Sequence, residues 1–586
     1  MLLTQEEVIQ TIPSYLRQFV VKQHFDEYTS EHHATWRYIM RRNVHFLKVH
    51  AHEAYLDGLE KTGISIDTIP HIDEMNEKLG KIGWRAVVVD GFVPPAAFME
   101  FSEHKILVIS ADMRNIGNIL YTPAPDIVHE AAGHAPIIAD PLYAEYLQLF
   151  GKYGAKAVFS KEDYDIYEAI RYLSIIKEYP NATTEQVDKA EKDLEEKIAL
   201  NTIPSEAALL SRLHWWTVEY GLVGTPDDFK LYGAGLLSSV GESKACLDPK
   251  VKKIALSTDT VNYDYDITKM QPQLFVAKDF NHLIEVLEAF ADTMCFRVGG
   301  ASSIQKVIDS RNVGTCVYSS GLQVSGVFKT LLKDEHGNEI YIGTNGESQL
   351  AYNDTELEGH GTAWHKDGFS SPVGKFKGMD TSPEDLTDAE LASLGIANGK
   401  QASFYFESGI HVSGRCDAIL RRDGKVILIT FSNCTVTHPD GTKLFNPSWG
   451  VYDMAVGARI ASVYSGSADK ENFNVYPPKS DKTTIKDEYT PEQLRLFAIY
   501  NELRSMREKR KPFQLDTLET LQVELAESYP KAWLIRLEML ELLNLNVNGA
   551  GNQLREKLVS ELEQLRSHSE VYENVISAGL NMMPLN

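Results

Sequence analysis

Cysteine is scarce in this chain, with five residues in 586, at positions 246, 295, 316, 416 and 434. They are scattered and odd in number, and no pair has zinc-ribbon spacing. A disulfide framework is therefore excluded, and reduced thiols in a cytoplasmic protein are expected. No run of about 18 apolar residues exists, so no membrane span is expected. Met1-Leu2-Leu3-Thr4 lacks a basic region and a long apolar core, which argues against a secretory signal. Thr4 and Glu7 instead have the spacing of a capping box that opens a helix. Positive charge is in deficit: 58 Lys and Arg face 82 Asp and Glu, a net charge of −24. Such a surface repels nucleic acid and anionic membrane, so neither is an expected partner. What remains is ordinary for a soluble globular protein, with 43 % hydrophobic residues. The length predicts two to four domains.

The informative segment is Pro125-Asp126-Ile127-Val128-His129-Glu130-Ala131-Ala132-Gly133-His134-Ala135-Pro136. It holds two imidazoles and two carboxylates. Zinc proteases space their histidines four apart on one helical face. Here the spacing is five, which on an α-helix would turn the two side chains apart. Gly133 and Pro136 both favour a helix end. The expectation is that His129 ends a helix and His134 swings back from just beyond it. Glu219, in Thr217-Val218-Glu219, is the candidate third ligand. Two histidines and one carboxylate leave three octahedral positions open, which suits non-haem Fe(II).

These motifs resemble the pterin-dependent aromatic amino acid hydroxylases, the family of phenylalanine, tyrosine and tryptophan hydroxylases. The resemblance runs in order from near Tyr28 to near Val298. It includes Tyr121-Thr122-Pro123-Ala124-Pro125-Asp126, Tyr232-Gly233-Ala234-Gly235-Leu236-Leu237-Ser238-Ser239 and Gly241-Glu242. It implies that His129, His134 and Glu219 hold the iron and that a tetrahydropterin, tetrahydrobiopterin or a related bacterial pterin, is the reductant. Gly91, Phe92, Phe98 and Glu130 would face the pterin, with Phe98 stacking on it. Pro94 and Pro95 stand where animal enzymes have small polar residues. Arg114 would fork onto the substrate carboxylate, oriented by Asp126, with Thr122 and Ser238 donating to the same group. Trp215 would wall an aromatic pocket. Ile267 matches a position that is Asp in tyrosine hydroxylases; an apolar wall leaves a buried phenol unpaired. Trp215 with Ile267 points to L-phenylalanine and molecular oxygen as substrates and L-tyrosine as product. Tryptophan hydroxylation is the alternative, as is a binding or regulatory protein on a hydroxylase scaffold. A homo-oligomer is allowed.

The expected fold is a mainly α catalytic domain with short β segments over 1–314, of the aromatic amino acid hydroxylase type. A β-rich domain with an internal repeat would follow over 315–480, and a helical C-terminal region over 481–586. His134 and Glu219 lie 85 residues apart, about twice the family's spacing. The extra material, about 155–204, is expected to form a helical pair outside the site, or a lid over it. In the tail, Ser320-Gly321-Leu322-Gln323-Val324-Ser325-Gly326 recurs as Ser408-Gly409-Ile410-His411-Val412-Ser413-Gly414, an offset of 88. Strand, turn and strand are expected in each copy. Leu534, Leu537, Leu540, Leu542, Leu543 and Leu545 form a stripe suited to helix packing. Gly359-His360-Gly361-Thr362-Ala363-Trp364-His365 and His411 could ligate a second ion, although a glycine-rich turn is the simpler reading.

Overall fold

The continuous apolar runs Ala86-Val87-Val88-Val89 and Ile106-Leu107-Val108-Ile109 make the first sheet, in which Arg85–Val89 pairs in parallel with Ile106–Ser110. The computed structural model describes residues 4–90, 93–120, 125–178, 182–239, 241–266, 270–476, 489–546 and 551–583. A parallel pair needs a crossover, and the helix Pro95–Glu103 supplies it. Pro95 sits at its first position, where a missing N–H costs nothing. This helix carries Phe98. A second sheet takes the order Asp228–Leu231, Leu222–Thr225, Gln273–Ala277, Lys252–Ala255. Its strand Leu222–Thr225 begins three residues after Glu219 and fixes that end of the site.

The expected capping box at Thr4 and Glu7 opens the helix Gln5–Thr11. The helix Ser30–His50 runs through the core and buries Trp36, Ile39, Met40 and Leu47. Val49, near its C-terminal end, is exposed. The helix also buries Arg37, because the C-terminal helices Pro491–Arg507, Trp533–Asn546 and Glu570–Met582 pack against it. Arg37 forks onto Glu538 at 3.0 and 2.7 Å, and Arg507 adds a contact at 3.1 Å. Of the leucine stripe, Leu534, Leu537, Leu540, Leu542 and Leu543 are buried, whereas Leu545 is exposed. All five cysteines are free and buried.

Burial opposes ionisation of Glu538, but the three arginines around it outweigh that and hold its carboxyl at about 2. A depressed carboxylate stabilises the fold above its ordinary value, about 4.3. That contribution is lost as pH falls from there toward 2. Glu538→Gln removes the carboxylate at every pH and leaves Arg37 buried without a counter-charge. It should cost about 3–5 kcal/mol. Denaturant unfolding at pH 7 and pH 3 checks this, and the gap between wild type and variant should narrow at the lower pH.

The two similar stretches of the tail fold alike. Val313–Tyr318, Leu322–Lys333 and Glu339–Tyr352 pair antiparallel in that order, as do Gln401–Tyr405, His411–Arg422 and Lys425–Thr437. Cys316 faces Val324, and Phe404 faces Val412, so the register repeats at the offset of 88. Gly321 and Gly409 hold the first turn of each copy with φ of 93° and 83°, a conformation glycine adopts without strain. A fourth strand joins each copy at the same place: Ile342 faces Ser371, and Ile429 faces Met454.

The stretch expected as extra material contains the helices Lys161–Glu178 and Thr184–Leu200. Ala169, Leu173, Ala190 and Leu194 give this hairpin a small core of its own. Together with Pro94, Pro95, Met99, Tyr265 and residues 465–476, it encloses a cavity of about 740 Å³.

Candidate metal centre and active site

His129 does not close a helix with His134 beyond it, as the sequence suggested; both lie within one helical segment. Val128–His134 is a π-helix. Its i→i+5 repeat brings residues five apart onto one face, which the α-helical count could not do. His129 Nε2 and His134 Nε2 are 3.2 Å apart. The second donor segment, Trp215–Glu219, is also π-helical. Glu219 Oε2 lies 3.2 Å from His129 Nε2, and Oε1 lies 3.4 Å from His134 Nε2.

Glycine does not end the first π-helix; it lets another backbone in. A Cβ on Gly133 would meet the Ala234 carbonyl oxygen at 2.6 Å, and one on Gly233 would meet the Glu219 carbonyl oxygen at 2.5 Å. The short helix Ala234–Ser238 is thereby wedged against both π-helices. Ser238 at its end is placed against His129. Its Oγ donates to the Ala234 carbonyl at 2.7 Å and lies 3.1 Å from His129 Nδ1. A hydroxyl has one proton to give, so at His129 it accepts, and Nδ1 carries the hydrogen. The Nε2 lone pair is then free to face the other two donors.

Two carboxylates adjoin the imidazoles, and their surroundings separate them. Burial raises Glu219, but His134 and His129 outweigh it and hold the carboxyl well below its ordinary range. Glu130 Oε2 is 3.8 Å from His134 Nε2, buried, and without a hydrogen-bond partner. Burial, aided by Glu219 and Asp126, pushes its carboxyl up to about 8. Burial thus favours the protonated form of Glu130, although His134 opposes it, whereas Glu219 is held as a carboxylate. Two imidazoles and one carboxylate, mutually 3.2–3.4 Å apart, fit a single divalent ion with open positions on one side. His129, at 19 % exposure, is the open side; His134 is buried to 4 %.

Arg114 and Asp126 form a buried two-pronged pair, with Nε to Oδ2 at 2.7 Å and Nη2 to Oδ1 at 2.8 Å. Burial raises Asp126, but Arg114 and the backbone N–H groups of His129 and Arg114 hold it down. The His129 N–H donates to Asp126 Oδ1 at 3.0 Å. Asp126 therefore ties Arg114 to the start of the π-helix. Trp215 stacks on Tyr265 with ring centroids 4.4 Å apart and planes within 12°. Phe98 meets the His214 ring edge-on at 6.3 Å. His214 also adjoins the donor set. Its Nδ1 lies 3.8 Å from Glu219 Oε1, and burial pushes it down to about 4, so it is neutral. No spacing rule pointed to it. Gly91, Phe92, Thr122 and Ile267 lie outside the described residues.

This donor set, on two π-helices beside a buried Arg–Asp pair and an aromatic stack, is that of a mononuclear non-haem oxygenase. A family model described as biopterin-dependent aromatic amino acid hydroxylase matches residues 19–170 and 188–301. The phenylalanine-4-hydroxylase of Ralstonia nicotianae is 30 % identical over 283 residues, covering 46 % of this chain and 76 % of the relative. That of Chromobacterium violaceum is 29 % identical over 276 residues, 46 % of this chain and 76 % of the relative. A solved structure of the Chromobacterium violaceum enzyme with iron(III) and 7,8-dihydrobiopterin shares 29 % identity. It covers 47 % of this chain and 85 % of that one, with a TM-score of 0.37. The chain belongs to the biopterin-dependent aromatic amino acid hydroxylases. The unmatched stretch inside the match, 171–187, is narrower than the 155–204 expected, and the match ends at residue 301. Among the described residues, no helix is long and apolar enough to cross a membrane.

Proposed function

We propose that the chain hydroxylates L-phenylalanine to L-tyrosine, using molecular oxygen and a tetrahydropterin at a ferrous ion held by His129, His134 and Glu219. The observation that carries this reading is the convergence of His129 Nε2, His134 Nε2 and the Glu219 carboxylate within 3.4 Å. Iron and pterin, when bound, would supply oxygen activation and two electrons. The chain's own residues do the rest. Arg114 takes the substrate carboxylate, and Asp126 holds the guanidinium in place. Trp215, fixed by Tyr265, walls the substrate ring. Phe98 stacks on the pterin, and Glu130 holds a proton at its buried carboxyl to offer it a hydrogen bond. Ser238 keeps His129 in the tautomer whose Nε2 can ligate. Gly91, Phe92, Thr122 and Ile267 join these roles on sequence alone, Ile267 as the apolar wall that disfavours tyrosine as substrate. The phenylalanine-4-hydroxylase relatives support the choice of phenylalanine.

The test is purified protein with Fe(II), tetrahydrobiopterin and each aromatic amino acid, with products separated. Tyrosine from phenylalanine is expected to dominate. Hydroxytryptophan as the main product would overturn the substrate, and no product from iron-loaded protein would overturn the reaction. Ser238→Ala should lower iron affinity about 10–100-fold, as loss of a ligand's supporting hydrogen bond does. Iron retained on dialysis against a graded chelator checks it.

A further inference from the structure

A second convergence of imidazoles and a carboxylate lies in the β-rich part, far along the chain from the hydroxylase match. His360 and His365 flank the turn that follows the strand Thr355–Glu356, and Asp453 comes from the strand Tyr452–Ala455. His360 Nδ1 and His365 Nε2 are 3.3 Å apart. Asp453 Oδ2 is 3.7 Å from the first and 3.9 Å from the second. We propose that these three atoms bind a divalent first-row transition ion, with Zn(II) the best match, as a structural staple independent of the catalytic iron.

Distance is the first argument. Ligand atoms about 2.0–2.1 Å from a tetrahedral ion stand roughly 3.3–3.4 Å from one another. The observed separations need only a few tenths of an ångström of closure. Charge is the second argument. Asp453 is 5 % exposed. Among the described residues, its ion-pair contacts are His360 and His365, with no Lys or Arg within reach. A proton shared between the two imidazoles would satisfy their nitrogens and still leave that buried carboxylate uncompensated. A dication serves all three groups at once.

The ligands are also held before any ion arrives. Thr430 Oγ1 donates to Asp453 Oδ1 at 2.7 Å, and Trp364 Nε1 donates to Oδ2 at 2.9 Å. The Leu350 N–H donates to the His360 carbonyl, and the Ser348 N–H donates to the His365 carbonyl. Both histidines are thereby tied to the strand Glu339–Tyr352. Such supporting bonds orient metal ligands generally. The two rings lie within 18° of parallel. His411, grouped with these residues from sequence, takes no part, because it stacks on Tyr405 at 4.4 Å and bonds to Ser403. The site joins the two sheets, since the turn belongs to the first and Asp453 pairs within the second. Trp364, 57 % exposed, marks the solvent side.

The experiment counts zinc retained per chain after full-length protein is stripped with chelator, incubated with Zn(II) and desalted. Two ions are expected in wild type, one in His365→Ala and one in His134→Ala. Affinity for the second ion should fall at least 100-fold in His365→Ala. Asp453→Asn, which can keep the Thr430 and Trp364 hydrogen bonds, should lose the same ion and stands in if His365→Ala does not fold. A single ion in wild type that His134→Ala abolishes, or two retained in folded His365→Ala or Asp453→Asn, would overturn the proposal. Because His134→Ala empties only the first centre, failure of the iron assignment would read out separately.

Discussion

Glu219→Gln is expected to fold, to purify with little iron and to lose hydroxylation by at least 10²–10³-fold, the scale of the several kcal/mol that a buried charge contributes. Glutamine keeps the shape and removes the charge. His129 and His134 then face a neutral amide across 3.2 and 3.4 Å, with no anion to complete the donor set. The neighbouring carboxyl cannot substitute easily. Glu130 is 3.8 Å from His134, and its proton would first have to leave a buried position at a pKa of about 8. Iron per chain and tyrosine formed per minute check the outcome. Normal iron content with full activity would remove Glu219 from the centre.

Arg114→Ala has the next largest expected effect, a rise in the phenylalanine KM of about 10²-fold or more. Breaking a buried charge pair costs about 3–5 kcal/mol. Here the loss is double, because Asp126 keeps a buried charge and the substrate carboxylate loses its partner. Asp126 also accepts from the His129 N–H, so some of the effect could enter kcat through the π-helix. Arg114→Lys separates the two. It restores charge without the fork, so KM should recover only in part while kcat returns. An unchanged KM in Arg114→Ala would mean that the carboxylate is held elsewhere.

Much of this centre was legible in the sequence because its parts are chemical. His129, His134 and Glu219 suggest a donor set by their chemistry, whereas the roles of Arg114 and Asp126 are implied only by the family resemblance. The geometry that unites them was not legible. Spacing of five on a presumed α-helix forced a helix end at Gly133, whereas the backbone adopts the π repeat and reserves the glycine for Ala234. Local propensity does not signal a π-helix; tertiary contact with the wedge at 234–238 accompanies it. The contact of Ser238 with His129 was not legible for a related reason, since the two are 109 residues apart and meet only in the fold. The repeat in the tail was readable because strand pairing follows residue identity at a fixed offset. Asp453 was not, because it reaches His360 and His365 across two sheets.

The Arg37–Glu538 pair has a consequence in time as well as in energy. The two residues are 501 positions apart. At synthesis rates of about 5–20 residues per second, Glu538 leaves the ribosome roughly 25–100 s after Arg37. Throughout that interval Arg37 lacks its Glu538 partner, and the part of the helix Ser30–His50 that the C-terminal helices cover stays open. The hydroxylase half therefore cannot reach its final packing during its own translation. Its last step waits on the last helices, and until then the nascent chain presents the surface that chaperones recognise.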